Sequence, residues 1–189
     1  MSEFGFINDL RLLADRDHAL DFQDDAATMP PADVICTDTL VESVHFFGSE
    51  PAGELAHKML AVNVSDVLAM NARPTHALLN LSLPRRCDAE WRTDFVAGLQ
   101  AACAQFDLRL LGGDTTGAPA SLVLTATVIG ALDGRALWRR SGARVGDRIC
   151  VGGAIGAGAL GLRDMQNGET GSTFAQHFRQ LMPRMDLLD

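Results

Sequence analysis

Glu50-Pro51-Ala52-Gly53-Glu54-Leu55-Ala56-His57-Lys58-Met59-Leu60-Ala61-Val62-Asn63-Val64-Ser65-Asp66-Val67-Leu68-Ala69-Met70-Asn71-Ala72 is the stretch whose reading sets the fold class. Leu55, Met59, Leu60, Val67 and Leu68 fall on one side at helical spacing, which predicts a long helix. Asn63 and Asp66 stand three apart and share a face of it. Asp66 lies amid Val62, Val64, Val67 and Leu68, where an unpaired charge is costly. Ala77 to Leu83, ending at Pro84, then reads as a strand. A helix feeding a strand marks a mixed α/β chain.

The pattern continues on both sides. Val34-Ile35-Cys36 is a brief apolar run that predicts a strand ending in Thr37-Asp38. Glu3 to Leu13 carries Phe4, Ile7, Leu10 and Leu13 three apart, as in a short helix. Asp88 is placed to cap a helix whose Trp91, Phe95, Leu99 and Ala102 recur at helical spacing. Leu108 to Leu111 predicts a strand running into Gly112-Gly113-Asp114, and Leu122 to Val128 alternates as a further strand does. Asp133-Gly134 is a turn, and Arg148 to Val151 opens another strand. A boundary is expected near Gly146-Asp147, dividing 1–146, a compact strand–helix set, from 147–189. The closing Leu181 to Asp189 is apolar with no obvious partner.

Composition narrows the class. The chain has 189 residues, 47% of them hydrophobic, enough for a sizeable core. No apolar run approaches the about 18 residues of a membrane helix. Met1-Ser2-Glu3-Phe4 lacks the basic start of a signal peptide, so a cytoplasmic protein is expected. A net charge of −8 argues against nucleic-acid binding through a broad basic surface. Aspartate outnumbers glutamate 18 to 6, which suggests turns, caps and metal sites rather than helix surfaces. Cys36, Cys87, Cys103 and Cys150 form no C-x-x-C pair, so neither a zinc site nor a disulfide framework is expected.

Acidic stretches recur beside these elements: Gln23-Asp24-Asp25-Ala26-Ala27, Thr37-Asp38, Asn63-Val64-Ser65-Asp66 and Gly112-Gly113-Asp114-Thr115-Thr116, with Arg139-Arg140-Ser141-Gly142 as a basic complement. Each alone has an ordinary explanation as a solvated turn, a cap, an exposed helix residue or a tight glycine turn. Together they point to a cation shared among Asp38, Asp66 and Asp114. Asp38 and Asp114 both follow strand-like runs, where ligand groups of α/β sheets usually sit. Short carboxylates suit magnesium, which shares its shell with phosphates, so a nucleotide is implied.

Two further features carry alternatives. Gly156-Ala157-Gly158-Ala159-Leu160-Gly161 matches G-x-G-x-x-G, but no acidic residue follows where a ribose contact needs one, and close helix packing is the favoured reading. The chain has no Gly-Lys pair, which excludes a Walker A loop. His45, in Leu40-Val41-Glu42-Ser43-Val44-His45-Phe46-Phe47, is either a satisfied core histidine or a polar tip contacting substrate.

The order DDAA, TDTLVESVHF, AHKMLAVNVSDVLAMNARP, LLGGDTTGAP and RALWRRSGARVGDRICVGGAIGAGALGL resembles thiamine-monophosphate kinases, of the aminoimidazole ribonucleotide synthetase-like superfamily. The resemblance implies a mixed sheet with helices on one side, followed by a second α/β domain. It implies ATP-dependent phosphorylation of thiamine monophosphate to thiamine diphosphate, with several magnesium ions bridging the phosphates. By position Asp24, Thr37, Asp38, Asp66 and Asp114 would be metal ligands, Asp24, Gly113, Asp114 and Arg140 would meet ATP, and His45 would contact thiamine monophosphate. It implies a homodimer whose N-terminal sheets pair. No residue stands out as a general base, so direct in-line transfer is expected.

Gln23 replaces the glycine usual before the Asp-Asp pair, and Cys36 stands where relatives often carry a hydroxyl. Neither removes a proposed ligand. Family members continue through a whole second domain, so this chain is expected to be a fragment or a truncation product. Two other classes stay open: a non-catalytic dimerising module that binds magnesium and nucleotide, and a related ATP-dependent synthetase. A selenophosphate synthetase would carry a reactive cysteine near its start, and no cysteine precedes Cys36.

Overall fold

A computed structural model describes residues 26–29 and 33–188. The helix expected over Glu3 to Leu13 and the Asp24-Asp25 pair lie outside them. Five strands make one mixed sheet: β1 (Ala27–Met29), β2 (Asp33–Val41), β3 (Arg73–Pro84), β4 (Arg109–Ala118) and β5 (Val123–Ala131), in spatial order β1-β2-β5-β3-β4. Among these strands the β3–β4 pair alone is parallel, and helix α2 (Ala89–Gln105) makes the crossover that parallel strands need. Helix α1 (Ala52–Ala69) lies against β2, β3 and β5, and α2 packs along α1.

The expected periodicities meet in the core. Leu55, Ala56, Met59, Leu60, Val64 and Val67 of α1 are buried together with Val34, Cys36 and Leu40 of β2 and Leu124, Ala126 and Val128 of β5. Each large aliphatic side chain so buried contributes about 1.5–3 kcal/mol. β5 alternates between buried and half-buried positions along its whole length, the period of two expected of it. Asp88 caps α2 by accepting the Trp91 N–H at 3.0 Å, worth about 1 kcal/mol.

The opposite face of the sheet carries no helix among the described residues. Four threonines of β2 and β5 are knitted together there. Thr37 pairs in register with Thr127 and Thr39 with Thr125. The Thr37 hydroxyl donates to the Ala126 carbonyl at 3.0 Å and accepts from the Thr127 hydroxyl at 3.0 Å, and the Thr39 and Thr125 hydroxyls lie 2.8 Å apart.

Several expectations are corrected. β2 runs on past Thr37-Asp38 to Val41, so Asp38 sits in mid-strand, because Thr39, Leu40 and Val41 continue the pairing with β5. Gly112-Gly113 is strand, not turn. β4 holds one extra residue opposite the Ala77/Leu78 step, and Gly113, at φ +151°, passes so close to β3 that a Cβ would collide with the Leu79 carbonyl. Arg148 to Val151 forms no strand. Ile149 and Val151 are 96% and 66% exposed, with no neighbouring strand to pair with.

Beyond residue 150 the described chain folds as α3 (Ala157–Gln166) and α4 (Thr173–Arg179). The glycine-rich motif opens α3 rather than following a strand, and Gly161 lets α4 approach, since a Cβ there would meet the Phe174 carbonyl. The apolar tail does find partners: Leu181, Met185 and Leu188 pack against the main core.

Candidate active site

The carboxylates of β2 and α1 converge on one thiol. Asp38 lies on the helix-facing side of β2, two residues beyond buried Cys36, and Asp66 follows Asn63 on α1. The Cys36 thiol donates to the Asn63 carbonyl at 3.3 Å. Its pKa is pushed up to about 12, first by burial and then by the charges of Asp66 and Asp38. Negative potential is thus concentrated between β2 and α1. Asn63, fully buried, settles its amide by donating to the Met59 carbonyl at 3.0 Å.

The remaining acidic-stretch residues stand elsewhere. Thr37 points to the helix-free face, where its hydroxyl is held by the threonine network. Asp38 aligns through Ala126 and Leu79 with Gly113, three strands away, or about 14 Å at ordinary strand spacing. Asp114, one residue on, is opposite Asn80, and its side chain lies on the far face, exposed, accepting the Thr115 N–H at 2.9 Å. A magnesium ion reaches ligands at about 2.1 Å. Within the described residues Asp114 therefore stands too far from Asp38 to share the one cation expected to join Asp38, Asp66 and Asp114. Among the described residues no three His, Cys, Asp or Glu side chains make a metal shell. Asp38 and Asp66 nonetheless offer hard oxygen donors in a place already rich in negative charge, which fits magnesium.

His45 lies in the loop between β2 and α1, at the rim of a cavity of about 450 Å³. Val44, Phe47, Val62, Leu162 and Phe178 supply apolar wall, and Lys58 a positive charge. The ring is held from one side, its Nδ1 accepting the Val41 N–H at 3.0 Å. A neutral ring so held carries its proton on Nε2, which leaves a donor. The loop is braced by buried Glu50, whose carboxylate accepts the N–H groups of Phe47 and Gly48 at 2.8–3.1 Å. Sequence reading passed over Glu50, Lys58 and Phe178. The one available signal was that Lys58 is the only lysine against 15 arginines.

Arg140 begins a short 3₁₀ turn, Arg140–Gly142, beside a second cavity of about 830 Å³ that Arg139, Arg148, Asp147 and Trp138 also line. This segment is fastened to the end of α1: Trp138 N–H donates to the Met70 carbonyl at 3.3 Å and the Asn71 amide to that of Ala136 at 2.9 Å. Three guanidinium groups around one opening suit phosphate. From Lys58 to Met70 is about 18 Å along the helix, so the structure separates Arg140 from His45.

Residues 23–132 match the family model "AIR synthase related protein, N-terminal domain". A thiamine-monophosphate kinase of Caulobacter vibrioides is 40% identical over 179 residues, covering 90% of this chain and 50% of that protein. The solved structure of AaThiL complexed with AMPPCP and TMP superposes with a TM-score of 0.88 at 26% identity, over 98% of this chain and 61% of the other. That of thiamine-monophosphate kinase from Stenotrophomonas maltophilia gives 0.75 at 35% identity, over 100% of this chain and 64% of the other. The chain thus spans about half the length of the curated relative. With more than half of its residues matched by the model, the chain belongs to the AIR synthase related family, as a bearer of its N-terminal domain.

Proposed function

We propose that the protein carrying this chain phosphorylates thiamine monophosphate with ATP, giving thiamine diphosphate and ADP. The observation that supports this most is the His45 cavity, an apolar pocket with two polar tips, in a chain superposable on a protein solved with AMPPCP and TMP. His45 contacts the thiamine substrate. Asp38 and Asp66 hold one magnesium ion, Asp24, Thr37 and Asp114 serve further magnesium ions apart from it, and Asp24, Gly113, Asp114 and Arg140 meet the ATP phosphates. Bound magnesium neutralises phosphate charge and aligns donor with acceptor. Direct in-line transfer without a general base is part of this reading.

The reading includes a homodimer paired through the helix-free sheet face, on which Asp114 stands, and a cytoplasmic location. No described helix is long and apolar enough to cross a membrane. It also divides the chain near Gly146 into an N-terminal domain and the start of a second. A second reading, a dimerising module that binds magnesium and nucleotide without turnover, is favoured by the separation of Asp114 from Asp38 and Asp66 in the described chain.

Calorimetric titration with a non-hydrolysable ATP analogue, with and without magnesium, followed by a thiamine diphosphate assay, tests both. Magnesium-dependent binding with product supports the kinase, and binding without product supports the module. No binding removes both.

A further inference from the structure

Lys58 is the chain's single lysine, half-buried on α1, and it lines the His45 cavity. Its Nζ donates to the His45 carbonyl at 2.8 Å and stands 4.3 Å from the centroid of the Phe178 ring. Among the described residues no carboxylate pairs with it. The counter-charge it feels, Glu50, is already occupied by the N–H groups of Phe47 and Gly48. Burial accordingly pulls its pKa below the ordinary lysine value, with Glu50 opposing. An ammonium has three donors, and one is used. Two remain at the edge of an apolar wall, where a cation lacking an anion is costly. The Nε2 side of His45 adds a further donor at the same rim.

We propose that Lys58 is the anion-holding group of this cavity, taking the phosphate end of an aromatic phosphate monoester whose ring lies on Phe47, Val62 and Leu162. This rests on the kinase reading and deepens it, by naming the side chain that grips the acceptor phosphate. The compact ammonium suits a phosphate that must stay free to react on one side, as a two-pronged guanidinium would not.

Pyridoxal 5′-phosphate is an aromatic phosphate monoester with an aldehyde, so it serves as the probe. The free amine attacks the aldehyde carbon, water leaves, and borohydride delivers hydride to the resulting C=N bond. Peptide mapping of the 189-residue chain then locates the adduct. We expect saturable labelling of Lys58, reduced about tenfold or more by excess phenyl phosphate and by thiamine monophosphate. Labelling confined to the N-terminal amine, or Lys58 labelling untouched by both competitors, overturns the proposal. If magnesium-dependent binding of the ATP analogue persists in that case, the Lys58 role falls alone. Protection by phenyl phosphate but not by thiamine monophosphate supports the anion site and overturns the thiamine reading instead. Lys58→Met, which keeps the apolar stem, should weaken thiamine monophosphate about ten- to hundredfold, and Lys58→Arg should restore part of the loss. Unchanged binding in Lys58→Met would assign the lysine to packing.

Discussion

Gly113 of β4 lies over the backbone of Leu79 of β3 so closely that a Cβ there would overlap the Leu79 carbonyl oxygen. Its positive φ adds a second demand for glycine. Gly113→Ala should therefore destabilise the fold by about 1–3 kcal/mol, displacing β4 and Asp114 with it. Urea unfolding measures the loss, and an unchanged midpoint would show that β4 is not held as described.

Asp38→Asn and Asp114→Asn should each abolish magnesium-dependent nucleotide binding while leaving the chain folded. Asp38 is half-buried and Asp114 exposed, so neither change opens a cavity. Calorimetry beside far-ultraviolet dichroism decides the matter. Two mutants that bind magnesium-ATP normally would sink the metal assignment.

His45→Ala should weaken thiamine monophosphate about tenfold or more and the ATP analogue much less. Among the described residues its ring accepts the Val41 N–H, and Lys58, bonded to its carbonyl, stands about 18 Å along α1 from Met70 of the arginine cavity. Equal weakening of both ligands would make His45 a brace for its loop.

Cys36 should resist alkylation in the folded chain while exposed Cys150 reacts first. With the folded thiol pushed up to about 12 from 9.0, the unfolded chain loses its proton earlier as pH rises. The stability tied to this thiol is intact below about pH 9 and falls between there and about pH 12. Asp38→Asn should lower the thiol pKa, since that carboxylate helps to raise it. Iodoacetamide rates across pH would show either outcome.

His57 gives the opposite slope. Burial lowers its pKa below 6.5, against the raising effects of Gln105 and Glu54. As pH falls through 6.5 the unfolded chain takes up the proton first, so stability present above that pH is lost below it. Denaturant midpoints at pH 7 and pH 5 should differ, and His57→Phe should remove part of the difference. An unaltered difference would place the titration elsewhere.

Helices α1 and α2 were legible because their apolar residues recur without interruption: Leu55 to Leu68 and Trp91 to Ala102 place them to within a few residues. Strand ends were not. Asp38 and Gly112-Gly113 look like terminators, yet cross-strand pairing with Thr127, Ala126 and Leu79 carries the backbone through them. Sequence order also cannot tell which face a side chain takes. Thr37 and Asp38 are adjacent and point oppositely, and Asp38 and Asp114 share a residue type but stand three strands apart. Lys58 was hidden because a lysine on a long helix is ordinarily a solvated one, and only the fold of Phe178 over it shows otherwise.

The threonine network has a bearing on wetting. Thr37, Thr39, Thr125 and Thr127 are polar by composition, yet each hydroxyl is committed to a neighbour in its own sheet. Water that touches this face gains few new bonds and forfeits few on leaving. Such a surface can be dried at small cost, because three of the four hydroxyl protons already have acceptors within the sheet when solvent withdraws.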